Sequence, residues 1–154
     1  MVRLEKLSPE ERKSIENLSL PTFKDNPFVE GSPLNKRHIA IVSTAGLHRR
    51  NDRPFTREPG DYYRVIPGDI KSDELVMSHV SVNFDRSGFQ QDWNVVFPID
   101  RLREMASDNI LDSVASYHYS FMGADDPIRW EGQARQLATL LKHDNVNAVL
   151  LVPA

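Results

Sequence analysis

The distribution of hydrophobic residues along the chain predicts a core of strands that alternate with helices. Residues 38–45, HIAIVSTA, form a β-branched run without polar alternation, as is typical of a parallel strand covered on both faces. Three further runs are interpreted as strands: NVVFP at 94–98, SVASYHYSFMG at 113–123 and NAVLLV at 147–152. Because strands that alternate with helices form parallel sheets, we predict an α/β fold with three layers, a mostly parallel sheet and helices on both faces.

The helices are predicted from apolar spacing and from capping residues. The segment PIDRLREMA at 98–106 places its apolar side chains on one helical face. Asp126 and Pro127 supply a cap and a first-turn proline for a helix that continues to about Lys142. Near the amino terminus, SPEE at 8–11 has the form of a capping box, which predicts a short helix to about residue 18.

The chain divides into an arm and a core. Residues 1–36 contain the short helix and an irregular strap with three prolines between residues 19 and 36. Residues 37–154 hold the α/β core, which we expect to be part of a longer domain. The sheet is expected to be incomplete at its carboxyl-terminal end, because no helix follows the last predicted strand to cover it.

Composition excludes several classes of function. The formal net charge of -3 argues against a general nucleic-acid binder, which needs a clustered surplus of lysine and arginine. No apolar run approaches the roughly 18 residues of a membrane span, and the first residues lack the apolar segment of a signal peptide. We therefore expect a soluble cytoplasmic protein. The chain has no cysteine, so disulfides and thiol catalysis are excluded within these residues.

The candidate binding residues follow the predicted strands, because ligands of open α/β sheets bind beyond the carboxyl ends of the strands. Hydroxyl and cationic groups after the first strand have the chemistry to bind a carboxylate. The alternative is a solvated basic loop that pairs with the nearby acidic residues Asp52, Glu58 and Asp61. No histidine pair has the spacing of a metal motif, so no metal site is predicted.

Several long strings resemble one family. IVSTAGLHRRNDRPF, YRVIPGD, SHVSVNFDRSGFQQDWNVVFPIDRLREM, SYHYSFMGADDP and LLVPA are similar to the selenoprotein B family of glycine, sarcosine, betaine and D-proline reductases. The resemblance covers about residues 38–154 in order, and it does not distinguish among the substrates. It implies reductive cleavage of a bond at the α-carbon of a small amino acid or amino-acid derivative.

The resemblance also implies a nucleophile that this chain lacks. In the family, a selenocysteine or cysteine follows the strand that here reads LLVPA, and a second thiol helps to release the product. We therefore expect the chain to be the amino-terminal part of a longer selenoprotein, truncated at a UGA codon that was read as stop. The alternative is a naturally short homologue.

Cofactor, partners and site residues are expectations from the same resemblance and from position. No cofactor is expected in this chain; a pyruvoyl-bearing subunit and a thioredoxin-like electron donor are possible partners, and an oligomer is expected. His79 and His118 are candidate proton donors, because cleavage leaves a basic group. The remaining predicted site residues lie near the substrate carboxylate or line the pocket: Ser43, Thr44, His48, Arg53, Tyr119, Ser120 and Met122.

Two other functions stay open. A non-catalytic protein that binds a small ligand or assembles a complex fits a thiol-free chain. A racemase or lyase of related architecture fits less well, because cysteine-pair racemases need two thiols and this chain has none.

Overall fold

The computed structural model describes residues 4–17, 22, 25–56, 58, 60–81 and 84–154. This part of the chain contains four α-helices: α1 (Pro9–Glu16), α2 (Ser87–Gln91), α3 (Ile99–Ser107) and α4 (Glu131–His143). It also contains seven strands: β1 (His38–Ser43), β2 (Leu47–Arg49), β3 (Tyr63–Pro67), β4 (Leu75–Met77), β5 (Ser113–Val114), β6 (Tyr117–Phe121) and β7 (Ala148–Val152). No helix in these ranges has the length and apolar character to cross a membrane.

The first predicted strand, β1, lies at the centre of the main sheet. Its beginning pairs in parallel with β5 and its end pairs in parallel with β6. Residues 39–43 of β1 also pair in parallel with β7, so β7 lies on the opposite edge of β1. The strand β3 pairs antiparallel with β6 and forms the other border. A mixed α/β fold with a mostly parallel sheet is therefore confirmed.

Two hydrophobic clusters lie against the sheet. Ile41 of β1 belongs to a cluster with Ile99 and Leu102 of α3. The next residue, Val42, packs against a second cluster that contains Leu137 of α4. Since successive side chains of a strand point to opposite faces, α3 and α4 pack on opposite sides of β1. Complete helical layers are not established, because apolar side chains of β7 remain exposed in the described part of the chain.

The prediction of a strand at 94–98 is wrong. Residues Trp93–Val95 form a 3-10 turn, in which the Asp92 carboxylate accepts the Asn94 N–H at 2.9 Å. The Asn94 side chain in turn accepts the Asp100 N–H at 3.1 Å. These local side-chain hydrogen bonds compete with the strand conformation. Val96 and Phe97 of this run are nevertheless buried, so the apolar pattern reports the core and not a strand.

The strand predicted at 113–123 is interrupted. It forms β5 and β6, with Ala115 and Ser116 between them, and the Ala115 N–H still donates to the Ile39 carbonyl of β1 at 2.9 Å. The Ser116 carbonyl instead accepts the Gly68 N–H at 2.7 Å, which ties the break to the segment after β3. A Cβ on Gly68 would lie 2.5 Å from the Ala115 carbonyl oxygen, so this approach requires glycine.

The long polar segment after β1 contains strands that hydrophobic spacing did not indicate. It supplies β3 to the main sheet, and it supplies β2 to a separate antiparallel ribbon with β4.

The three predicted helices are confirmed, including α3 at the segment 98–106, although α4 begins at Glu131 and not at Pro127. Ser8 and Glu11 form the capping box of α1, which ends at Glu16 and buries no residue; residue 18 lies outside the described residues. The Asp126 carboxylate caps a 3-10 turn, Pro127–Trp130, that precedes α4.

Candidate functional site

Hydrogen bonds of Thr44 join the carboxyl ends of three strands, β1, β6 and β7. Its hydroxyl accepts the Ala154 N–H at 2.8 Å and donates to the Ala154 carbonyl at 3.2 Å. The backbone N–H of Thr44 donates to the Val152 carbonyl at 3.1 Å. The Thr44 carbonyl accepts the Gly123 N–H at 2.8 Å. The ends of β1, β6 and β7 therefore meet at one point, where ligands bind in open α/β sheets.

Glycine at position 123 permits this close approach. A Cβ on Gly123 would lie 2.8 Å from the carbonyl oxygen of Thr44 and 2.9 Å from that of Ala154. Both atoms belong to the backbone, which yields less readily than the end of a flexible side chain. The contact thus depends on the absence of a side chain at Gly123, the last residue of the string SYHYSFMG.

A cavity of about 340 Å³ lies beside this junction. Met122 and Ala124, on either side of Gly123, both line it. The other walls combine carboxylate, guanidinium and aromatic groups, including Glu58, Trp130 and an ion pair in which the Arg129 guanidinium lies 3.1 Å from the Asp125 carboxylate. Groups of opposite charge in one cavity have the chemistry to hold a zwitterion, since a guanidinium binds a carboxylate and a carboxylate binds an ammonium.

Asp61 forms the buried wall of the cavity. Its carboxylate lies 2.6 Å from the Arg64 guanidinium and 3.0 Å from that of Arg53, and it accepts the Thr56 N–H at 2.8 Å. Burial by itself raises the pKa of Asp61, but these hydrogen bonds and ion pairs outweigh it and hold the pKa below its usual value. Asp61 therefore stays ionised at neutral pH.

The basic loop pairs with its own acidic residues. Arg53 pairs with Asp61, and Arg49 lies 3.3 Å from Asp52. The predicted internal ion pairs of the basic loop are thus confirmed at these positions, but the Asp61 carboxylate is buried and not solvated. Arg53 reaches the cavity through Asp61 and is not itself among the residues that line it.

Three of the predicted site residues accept buried backbone N–H groups. Ser43 Oγ accepts from Ala45 at 3.2 Å, and Ser120 Oγ accepts from Leu47 at 2.8 Å. Both serines are completely buried. These hydroxyls satisfy amides that the sheet leaves unpaired where β1 turns into β2.

His118 performs the same task at the break between β5 and β6. Its Nδ1 accepts the Ile41 N–H at 2.9 Å, so the neutral ring carries its proton on Nε2. The ring is completely buried and packs edge-on against Phe97, with 5.5 Å between centroids. Burial, with a smaller contribution from the Arg103 and His38 charges, lowers the pKa of His118 to about 4.

His48 and His79 are also buried. His48 Nδ1 lies 2.7 Å from the Arg49 carbonyl and donates to it, whereas His79 Nδ1 accepts the Ser81 N–H at 3.3 Å. The His79 ring stacks on Phe84 at 4.4 Å between centroids. Burial and the Arg86 charge lower the pKa of His79. In the described part of the chain, Nε2 has no hydrogen-bond partner in His48, His79 or His118.

The structure brings only part of the predicted site together. Met122 lines the cavity and Thr44 joins the strand ends, whereas Tyr119 lies under α4 against Tyr63, with 5.9 Å between ring centroids. Burial raises the pKa of Tyr119. Met122 is the one cavity residue that was also a predicted site residue. The other cavity residues come from distant parts of the chain without a shared motif: Thr56, Glu58, Gly60, Asp61, Tyr62, Val80, Ala124, Asp125, Arg129 and Trp130.

Comparisons with known proteins agree with the family resemblance of the long sequence strings. The chain is 33% identical over 115 residues to the D-proline reductase subunit gamma of Acetoanaerobium sticklandii, an alignment that covers 73% of this chain and 47% of that protein. It is 26% identical over 132 residues to the sarcosine reductase complex component B subunit beta of Peptoclostridium acidaminophilum, covering 82% and 29%. For the glycine reductase complex component B subunit gamma of Carboxydothermus hydrogenoformans, identity is 27% over 143 residues, covering 87% and 32%.

The chain thus spans about half the length, or less, of the curated relatives that it matches. No solved structure matches it significantly. The family model for glycine/sarcosine/betaine reductase selenoprotein B matches residues 3–154, nearly the whole chain. The chain therefore belongs to the glycine/sarcosine/betaine reductase selenoprotein B family.

Proposed function

We propose that this chain forms the substrate-binding part of a reductase subunit that cleaves a bond at the α-carbon of a small amino acid or derivative. The single observation that carries the proposal is the junction of Thr44, Gly123 and Ala154 beside a cavity with groups of both charges. Family membership supports the reaction class. The zwitterion lies in the cavity, with its carboxylate towards Arg129 and its amino nitrogen towards Glu58.

The nucleophile is a selenocysteine or cysteine on a segment that follows Ala154 in a longer form of the protein. Two facts support such a segment: the D-proline reductase relative is matched over only 47% of its length, and apolar side chains of β7 are exposed. Coverage of β7 would complete the three-layer arrangement. Sequencing the DNA beyond codon 154 tests this part: an in-frame continuation after TGA supports it, and an ordinary double stop refutes it.

The reaction balances as a two-electron reduction. The selenolate or thiolate forms a bond to the α-carbon while the carbon–nitrogen bond breaks, and the nitrogen leaves with its electron pair and takes up a proton. A second thiol then attacks the selenium or sulfur, and the α-carbon takes up the second proton. The resulting selenosulfide or disulfide is reduced by a dithiol donor, for which a thioredoxin-like protein is the proposed partner. A pyruvoyl-bearing subunit is the second proposed partner.

The activity is tested with the longer chain, purified together with the subunits encoded beside its gene and supplied with dithiothreitol. Glycine, sarcosine, betaine and D-proline are offered separately, and the products are identified by mass spectrometry. We expect one of them to be reduced; D-proline, for example, would yield the ring-opened 5-aminopentanoate. Serine in place of the nucleophile is the matched control. No reduction of any substrate by the complete complex would refute the proposal.

A non-catalytic role is the alternative, and the absence of cysteine from these 154 residues favours it for the chain taken alone. The same cavity would then hold a small zwitterion without turnover. Calorimetric titration distinguishes the two: binding of a substrate by the complete complex without any reduction supports the non-catalytic role.

A further inference from the structure

The strand β7 is an uncovered border of the sheet. It pairs with β1 along one edge, and no other strand in the described part of the chain pairs with it. Val149 is 40% exposed, Leu150 37% and Leu151 64%. An unpaired edge with three consecutive exposed apolar side chains is a surface that attracts another element, and proteins seldom leave one open.

An apolar groove of about 550 Å³ lies between β7 and α4. Both elements contribute to its walls, and the sheet forms its floor. Leu151 lines this groove, and so does Pro153, which follows β7 directly. The other walls are almost all apolar, and they include Val42, Phe121, Trp130, Leu137 and Leu141.

The order of the strands determines which face the next helix takes. From β1 the chain passes through α3 to β6 on one side, and from β6 it passes through α4 to β7 on the other side. Right-handed crossovers in opposite directions require helices on opposite faces, and α3 and α4 lie in this way. A further parallel strand outside β7 continues the direction from β6 to β7. Its crossover helix therefore belongs on the face of α4, where the groove lies.

We propose that the groove between α4 and β7 seats an amphipathic helix formed by the segment after Ala154, and that the free edge of β7 takes the next parallel strand. The inference rests on the proposed function only in requiring that the chain continues. The apolar stripe of the proposed helix would cover Val149 and Leu151 beside α4.

Continuation of the same chain is favoured over a second copy by the position of the chain end. The hydrogen bonds between Thr44 and Ala154 hold residue 154 at the end of the sheet, and Pro153 already forms part of the groove wall. A following segment thus enters the groove without crossing the sheet. The D-proline reductase relative is itself longer than the matched part, with about as many residues outside its 115-residue match as within it.

Photo-crosslinking in the longer protein tests the seat of this helix. p-Benzoylphenylalanine replaces Leu151, and the crosslinked peptides are identified by mass spectrometry. We expect crosslinks within one chain to the first 30 or so residues after Ala154, the length of a strand–helix–strand unit. Ile110 is the matched control position, because it is 46% exposed but lies in the turn after α3. Crosslinks from position 151 to a second copy, to a partner subunit or to residues 1–36 would overturn the proposal.

A stability comparison adds an independent readout. In the longer protein, Leu151→Ser should lower the Tm by about 5 °C, because a leucine side chain buried by the helix is lost. Ile110→Ser should change it by less than about 2 °C. Equal effects of the two substitutions would contradict the placement of the helix in the groove. Neither readout depends on turnover, so crosslinks to a second copy in an active reductase would reject the seat and retain the function.

Discussion

Burial of His118 should make the stability of the fold depend on pH. In the folded protein its pKa is about 4, against an ordinary value of 6.5. As the pH falls below 6.5, the unfolded chain binds a proton that the folded protein does not, so the free energy of unfolding decreases. Each unit of pKa difference between the folded and the unfolded state corresponds to about 1.36 kcal/mol, so the full effect on the free energy of unfolding is about 3 kcal/mol. About 2 kcal/mol of it is lost between pH 7.5 and pH 5.0.

The substitution His118→Asn isolates this effect. The asparagine Oδ1 takes the place of Nδ1 and still accepts the Ile41 N–H, but it does not titrate. We expect the variant to be less stable at pH 7.5, because the ring that packs on Phe97 is lost. In this variant, the free energy of unfolding should decrease by only about 1 kcal/mol or less between pH 7.5 and pH 5.0. A small dependence remains because burial also lowers the pKa of His79.

Urea unfolding followed by tryptophan fluorescence measures both quantities at each pH. His143→Asn removes an exposed histidine at the end of α4 and serves as the matched control, which should behave like the wild type. A wild type with equal stability at pH 7.5 and pH 5.0 would refute the reasoning. So would a His118→Asn variant that keeps the whole pH dependence.

Three further substitutions test the junction and the cavity. In the longer reductase, Thr44→Val removes the hydroxyl that bonds to Ala154 and should lower kcat at least about 10-fold, whereas Thr44→Ser should stay within about 3-fold; equal rates would exclude a positioning role. Gly123→Ala should lower the free energy of unfolding by about 1–3 kcal/mol, because the methyl group meets two carbonyl oxygens. Gly132→Ala, with nothing within 4 Å of its Cβ, is the control and should not destabilise α4. Asp61→Asn should lower the free energy of unfolding by about 2–3 kcal/mol, because Arg64 loses its buried carboxylate partner. Asp52→Asn should lower it by less than about 1 kcal/mol. Chemical denaturation measures all four stability changes, and similar losses for Asp61→Asn and Asp52→Asn would contradict the structural assignment.

Local signals in the sequence identified the elements that depend on local physics. The apolar runs of β1 and β7 and the caps at Ser8 and Asp126 act through neighbouring residues, and they were located correctly. The long strings of the family were also sufficient to identify it, and the family match over residues 3–154 agrees.

Apolar runs alone did not separate strands from buried turns. NVVFP at 94–98 has the composition of a strand, but Asp92 and Asp100 bind Asn94 and hold a turn. The strand at 113–123 is broken because the His118 ring, and not a backbone carbonyl, accepts the Ile41 N–H. Both outcomes depend on which side chain reaches which amide, and that is set by packing.

The sequence by itself thus determined the α/β class, the parallel strand β1 and the family, because each depends on local periodicity or on a contiguous string of residues. Only the tertiary structure decided which residues meet. It joined Thr44, Gly123 and Ala154 across three strand ends, and it turned Ser43 and Ser120 into internal acceptors of backbone amides. The physical reason is that hydroxyl and imidazole groups serve a ligand or a buried amide equally well, and only three-dimensional proximity chooses between them.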